Sequence, residues 1–126
     1  PGANFIVKDA LKIDELTDTY DGIVIGFCMP YLSKDDCTKL IQLCSKKLTA
    51  RGLIYISSME DDYSKSGFET TSFSDEKQVY VYYHQAQHIQ TALTNNGFDV
   101  LQIERKAYPE ADGTFLTDMI FIAQKK

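Results

Sequence analysis

Apolar positions along this chain follow two rhythms. Short unbroken runs, "NFIV", "GIVIGF", "LIYIS", "FDVLQI" and "MIFIAQ", alternate with polar stretches, and two longer segments repeat their apolar residues at helical spacing. Residues 4–8 ("NFIVK") read as a strand that delivers Asp9 into a loop. "ALKIDELTDTYDG" then makes a polar connection with room for at most one helical turn. Ile23, Val24 and Ile25 form a continuous apolar run. Such a run suits a central strand covered on both faces, and Pro30 in "MPYL" ends its ladder.

Ser33 opens a helix as N-cap, with the Asp36 carboxylate three residues on. Cys37, Leu40, Ile41, Cys44 and Leu48 follow on one stripe. Arg51-Gly52 predicts its stop, with Gly52 free to turn left-handed. The strand "LIYIS" completes a strand–helix–strand crossover. Residues 58–76 are polar, with "MEDDYSKSG" as an exposed loop. "FETTSF" and "QVYVYY" flank a turn-like "SDEK" and predict a hairpin. "HQAQHIQTALTNNG" predicts a second helix with Ala86, Ile89, Ala92 and Leu93 inward and Gly97 as its stop. The strands "FDVLQIER" and "FLTDMIFIAQ" are joined by "KAYPEADGT", a link short enough to make them antiparallel. The order β, β, α, β, hairpin, α, β, β is α/β with an antiparallel last strand, in one domain over residues 1–126, without internal repeats.

Composition narrows the function. A chain of 126 residues can bury a sizeable core. Its net charge of −5, without a basic cluster, argues against backbone-driven nucleic-acid binding. No apolar run has the length of a membrane span, so no membrane partner is expected and the expected location is cytoplasmic. Cys37 and Cys44 stand about 10 Å apart along one helix face, too far for a disulfide, and no C-x-x-C pair offers zinc ligands. All three cysteines, Cys28 included, read as reduced thiols.

"FIVKDALKIDELTDTYDGIVIGF", "LIQLCSKKLTARGLIYIS", "ALTNNGFDVLQIER" and "DMIFIAQKK" occur in an order and spacing that resembles the C-terminal two-thirds of a class I S-adenosylmethionine-dependent methyltransferase. The resemblance covers essentially the whole chain. It implies a Rossmann-like doubly wound sheet ordered 3-2-1-4-5-7-6, of which this chain supplies strands 3 to 7, and it implies S-adenosylmethionine as cofactor. Asp9 is then the acceptor for the adenine amino group, with the Ala10 amide near the ring. Gly26, Phe27 and Cys28 run beside the methionine half, shielded by Tyr31 and Leu32. The family's glycine-rich first turn and its ribose-binding acid have no counterpart here, since no G-x-G occurs in the sequence. Strands 1 and 2 of the family order separate 3 from 4, so "NFIVK" lacks a neighbour and an edge stays open. The expectation is a truncated domain of a longer methyltransferase. The rival is a homodimer that pairs or swaps strands.

The acceptor is expected to be a small molecule. Tyr63, Tyr82, Tyr83 and His84 are candidates for its side of the site, and residues 61–74 for part of a lid. Tyrosine faces suit a sulfonium cation but equally suit ordinary packing. His84 and His88 stand four apart, as in half a zinc site, yet without the glutamate of H-E-x-x-H or a third ligand. Glu60, Asp61 and Asp62 follow a strand at the carboxyl-end side where open α/β sheets bind ligands, or they form a solvated loop. Cys28 has no evident histidine partner, and no catalytic base is identifiable. Two alternatives stay open: a non-catalytic remnant serving as an interaction or dimerisation module, and a nucleotide-binding oxidoreductase of related topology.

Overall fold

The computed structural model describes residues 3, 5–71, 74–111 and 113–126, and for 69–71 and 74–78 the backbone alone. Strand β1 (Tyr20–Gly26) leads through helix α1 (Lys34–Lys47) to β2 (Leu48–Glu60). A ribbon of β3 (Gly67–Thr71) and β4 (Ser74–Val81) follows, then helix α2 (Ala86–Asn95) and the strands β5 (Phe98–Pro109) and β6 (Phe115–Lys125). The main sheet has the order β1-β2-β6-β5. β1 and β2 are parallel, with Ile23 beside Ile54 and Ile25 beside Ile56. β6 runs antiparallel to both β2 and β5. The predicted crossover unit and the antiparallel last strand are both present.

Strand alternation sorts the side chains. Ile54, Ile56, Met119, Phe121 and Ala123 share the face covered by Cys37, Leu40, Ile41 and Cys44 of α1 and by Ile89, Ala92 and Leu93 of α2, and all are buried. Each fully buried aliphatic side chain contributes on the order of 1.5–3 kcal/mol. Both helices lie over this one core. The other face carries Val24 (74 % exposed) and Leu53 (45 %), with Tyr55 and Ile122 half-buried beside them. The expectation that Ile23, Val24 and Ile25 are covered on both sides is therefore corrected: among the described residues β1 lies at the sheet edge, and of the three only Ile25 is buried.

Ser33 Oγ accepts from the Asp36 amide at 3.2 Å, so α1 starts as predicted. It stops earlier, at Lys47, and β2 begins on the next residue. Arg51, not Gly52, takes the left-handed conformation, with φ 69°. Gly52 serves close approach instead, because a Cβ there would meet Thr49 O at 3.0 Å and Asp21 O at 3.1 Å. Gly97, with φ 85°, ends α2 as expected. "SDEK" lies within β4 rather than in a turn, and residues 72 and 73 fall outside the described residues.

The first predicted strand does not form. Phe5, Ile6 and Val7 are exposed and join no ladder, while Asn4 lies outside the described residues. Backbone groups of a lone segment stay on water when no neighbouring strand offers them partners. No helix among the described residues is long and apolar enough to cross a membrane.

Candidate cofactor and acceptor site

The carboxyl end of β1 has a constrained backbone. Phe27 adopts φ 49° without being glycine. Its amide donates to both Ser57 O (3.0 Å) and Ser57 Oγ (3.1 Å) at the adjacent end of β2. A left-handed non-glycine residue costs about 1–2 kcal/mol, and such positions concentrate at functional sites. Cys28 then leads into a 3-10 turn, Met29–Tyr31, closed by Tyr31 N to Cys28 O and Leu32 N to Met29 O, both 3.0 Å.

Beside this turn lies a second one, Ala10–Glu15, capped by Asp9, whose Oδ1 accepts from the Leu11 amide at 2.9 Å. Its C-terminal connection is tied down where Lys47 Nζ donates to Leu16 O. Ala10, Ile13, Gly26 and Cys28 line a cavity of about 220 Å³ along the free edge of β1. Burial pushes the Cys28 thiol up, and the nearby Asp9 carboxylate adds to the effect. Thiolate chemistry at Cys28 is thereby disfavoured. Cys37 and Cys44 are pushed up to about 12, mainly by burial.

Aromatic rings gather at the other side of the Met29 turn. Tyr63 stacks on Tyr82 with centroids 5.9 Å apart, and His84 lies 5.8 Å from Tyr63 and 6.4 Å from Tyr82. Lys34 Nζ sits 4.5 Å above the Tyr63 ring. His84 is fully buried, and its Nε2 lies 3.0 Å from both Met29 O and Leu32 O. His88 points its own Nε2 at Lys34 O, 3.3 Å away. The two imidazoles thus face backbone carbonyls, and among the described residues no group of three metal-ligating side chains forms. Tyr83 projects elsewhere, into a cavity of about 440 Å³ with Asp61, Glu110, Thr114, Phe115 and Leu116 at the carboxyl ends of β2 and β5.

No family model matches the chain, and no curated protein matches it. Solved structures do. A methyltransferase from Methanosarcina mazei superposes with TM-score 0.77 at 14% identity, over 96% of this chain and 66% of that one. Magnesium protoporphyrin IX methyltransferase from Synechocystis, with bound S-adenosylmethionine, gives TM-score 0.66 at 14% identity, over 97% and 45%. The N-methyltransferase NodS from Bradyrhizobium japonicum, in complex with S-adenosyl-L-homocysteine, gives 0.60 at 16%, over 94% and 52%. The chain has the class I S-adenosylmethionine-dependent methyltransferase fold. It spans between 45% and 66% of the length of these three structures.

Within this methyltransferase fold, the residues singled out by sequence fall into three groups. Ala10 and Cys28 line one cavity, the Asp9 carboxylate is close enough to Cys28 to push its thiol up further, and Phe27 shapes the turn beside it. Tyr63, Tyr82 and His84 form the aromatic cluster, and Tyr83 stands apart from them in the larger cavity. Of the carboxylates, Glu60 is held by Arg105 at 2.6 Å, Asp61 by Lys65 at 3.1 Å, and Asp62 caps a short turn through the Ser64 amide. Sequence reasoning missed Glu110, Phe115 and Leu116. They reach the cavity only because the β5–β6 hairpin folds back beside Asp61, far away in the chain.

Proposed function

We propose that this chain carries part of the cofactor site, and the acceptor side, of an S-adenosylmethionine-dependent methyltransferase acting on a small molecule. One observation carries the reading: Asp9, Ala10 and Cys28 meet at the carboxyl end of β1, where Phe27 holds a left-handed backbone. Open α/β sheets bind ligands at that end.

The residues fit one portion of the cofactor. Asp9 uses Oδ1 as a cap, which leaves Oδ2 to accept from the adenine amino group. The cavity of about 220 Å³ is below the roughly 300–1,000 Å³ of a full ligand pocket, so these residues hold part of the molecule. Once bound, the cofactor supplies an electrophilic methyl group on a sulfonium. The chain's own residues then orient and enclose. Phe27 and Cys28 line the methionine half, Tyr31 covers it, and the Tyr63 and Tyr82 faces favour a nearby cation. Tyr83 and its cavity receive the acceptor. No general base is assigned.

The test is a titration of S-adenosyl-L-homocysteine followed by backbone amide NMR. The expected perturbations are at Asp9, Ala10, Phe27 and Cys28, and Asp9→Ala should weaken binding about tenfold through the lost charge-assisted bond. Perturbations confined to the β5–β6 hairpin would place the ligand elsewhere and sink the reading.

A second reading is favoured by the unpaired edge of β1 together with exposed Val24 and Leu53. In it, the chain is an interaction module whose free edge pairs with a second copy. Sedimentation showing a stable dimer that binds no adenosyl compound would support this module over the enzyme.

A further inference from the structure

We infer that His84 is a positioning residue: a neutral, Nε2-protonated latch that fixes the turn following β1 in its ligand-facing shape. Carbonyl oxygens only accept, and Nε2 stands 3.0 Å from two of them, Met29 O and Leu32 O. The proton therefore resides on Nε2, which donates to both ends of the same 3-10 turn. Nδ1 is then a bare lone pair, buried and without a hydrogen-bond partner among the described residues. A second, independent bond works alongside it, from the Tyr82 amide to Pro30 O at 2.7 Å. Thus Met29, Pro30 and Leu32 are all held through the segment that contains Tyr82 and His84.

The latch is itself anchored. The Asp61 amide donates to His84 O at 3.2 Å, and His84 bridges to Glu60 at the end of β2. Cys37 Sγ, 3.4 Å from Nε2, closes the site from α1 and shares the same two carbonyls. Through its ring and its backbone together, His84, just ahead of α2, therefore connects the turn after β1, the end of β2 and α1. Among the described residues, the groups facing it are Cys37, Lys34, His88, Tyr63 and Tyr82. None is an anion that would stabilise an imidazolium. Protonation would leave the Nε2 donor in place but put a second N–H on buried Nδ1, where the described residues offer no acceptor, so the neutral ring is the favoured form.

This goes beyond the cofactor reading but rests on it for the statement that the turn faces a ligand. The test separates the two. In the ligand-free chain, long-range nitrogen–proton NMR should show His84 as the Nε2–H tautomer. Amide exchange at Tyr31 and Leu32 should quicken tenfold or more in His84→Leu, while β5 and β6 amides stay protected. His84→Gln, whose amide can still donate, should restore most of the protection. S-adenosyl-L-homocysteine affinity should fall about tenfold in His84→Leu and recover in His84→Gln. An Nδ1–H tautomer, or unchanged exchange at Leu32 in His84→Leu, would overturn the latch. Equal ligand affinity in wild type and His84→Leu would overturn its positioning role. Should the wild type bind no adenosyl ligand, the cofactor reading falls, and tautomer and exchange alone decide the latch.

Discussion

Phe27 and His84 together show how single residues shape the carboxyl end of β1. Phe27 accepts an unfavourable backbone angle because its amide reaches two oxygens of Ser57 there. Phe27→Gly should therefore leave thermal stability within about 1 kcal/mol of wild type, since relieved strain offsets the greater freedom of the unfolded chain. It should nonetheless weaken adenosyl-ligand binding, because the proposed site includes half-exposed Phe27. Calorimetric melting and a binding titration on the same variant check both halves. His84 has a pKa lowered chiefly by burial, against the opposing pull of its two carbonyl bonds. The unfolded chain therefore takes up this proton first, at about pH 6.5. Stability from the neutral ring is full above that pH and lost as the pH falls below it. Urea midpoints measured from pH 7.5 to 5 should decline more steeply for wild type than for His84→Gln. At this scale the sequence was least informative. "FC" and "YYH" name the residues, but nothing local announces a left-handed phenylalanine or a histidine aimed at carbonyls from a segment more than fifty positions earlier.

Helices and strands were far more legible, because their cues lie within a few residues. Ser33 and the stripe through Cys44 specified α1, and Ala86 to Gly97 specified α2 with its inward residues and its stop. The misreadings arose where tertiary contact overrides local preference. Gly52 looked like a helix stop, yet its role is to let β2 pass close to Thr49 O and Asp21 O. The two glycines should therefore respond differently to alanine. Gly97→Ala meets no atom within 4 Å and should lose about 1 kcal/mol through its positive φ alone. Gly52→Ala pushes against backbone oxygens and should lose more, on the order of 1–3 kcal/mol. Denaturant unfolding of both variants compares them directly, and equal losses would contradict the close-approach account. "SDEK" failed as a turn because hairpin register depends on the partner strand, which no local tetrapeptide contains.

Across the whole molecule, the sheet is finished on one face and open on the other. The helices α1 and α2 both cover the core side, whereas Val24, Leu53, Tyr55 and Ile122 border a shallow apolar depression of about 260 Å³ opposite. The apolar run at Ile23, Val24 and Ile25 gave a sound strand assignment and a wrong burial, because the covering for Val24 is not supplied by these residues. The same geometry leaves residues 5–8 without a ladder and the proposed cofactor cavity open along the β1 edge. Fold and candidate site therefore meet at one place, the carboxyl end of β1. The most direct test there is a calorimetric titration of S-adenosylmethionine into the 126-residue chain, run beside Asp9→Ala. Saturable binding that weakens about tenfold in the variant is the predicted result. Absence of binding, or equal binding by both proteins, would contradict an adenosyl site built on Asp9 and the turn at Phe27.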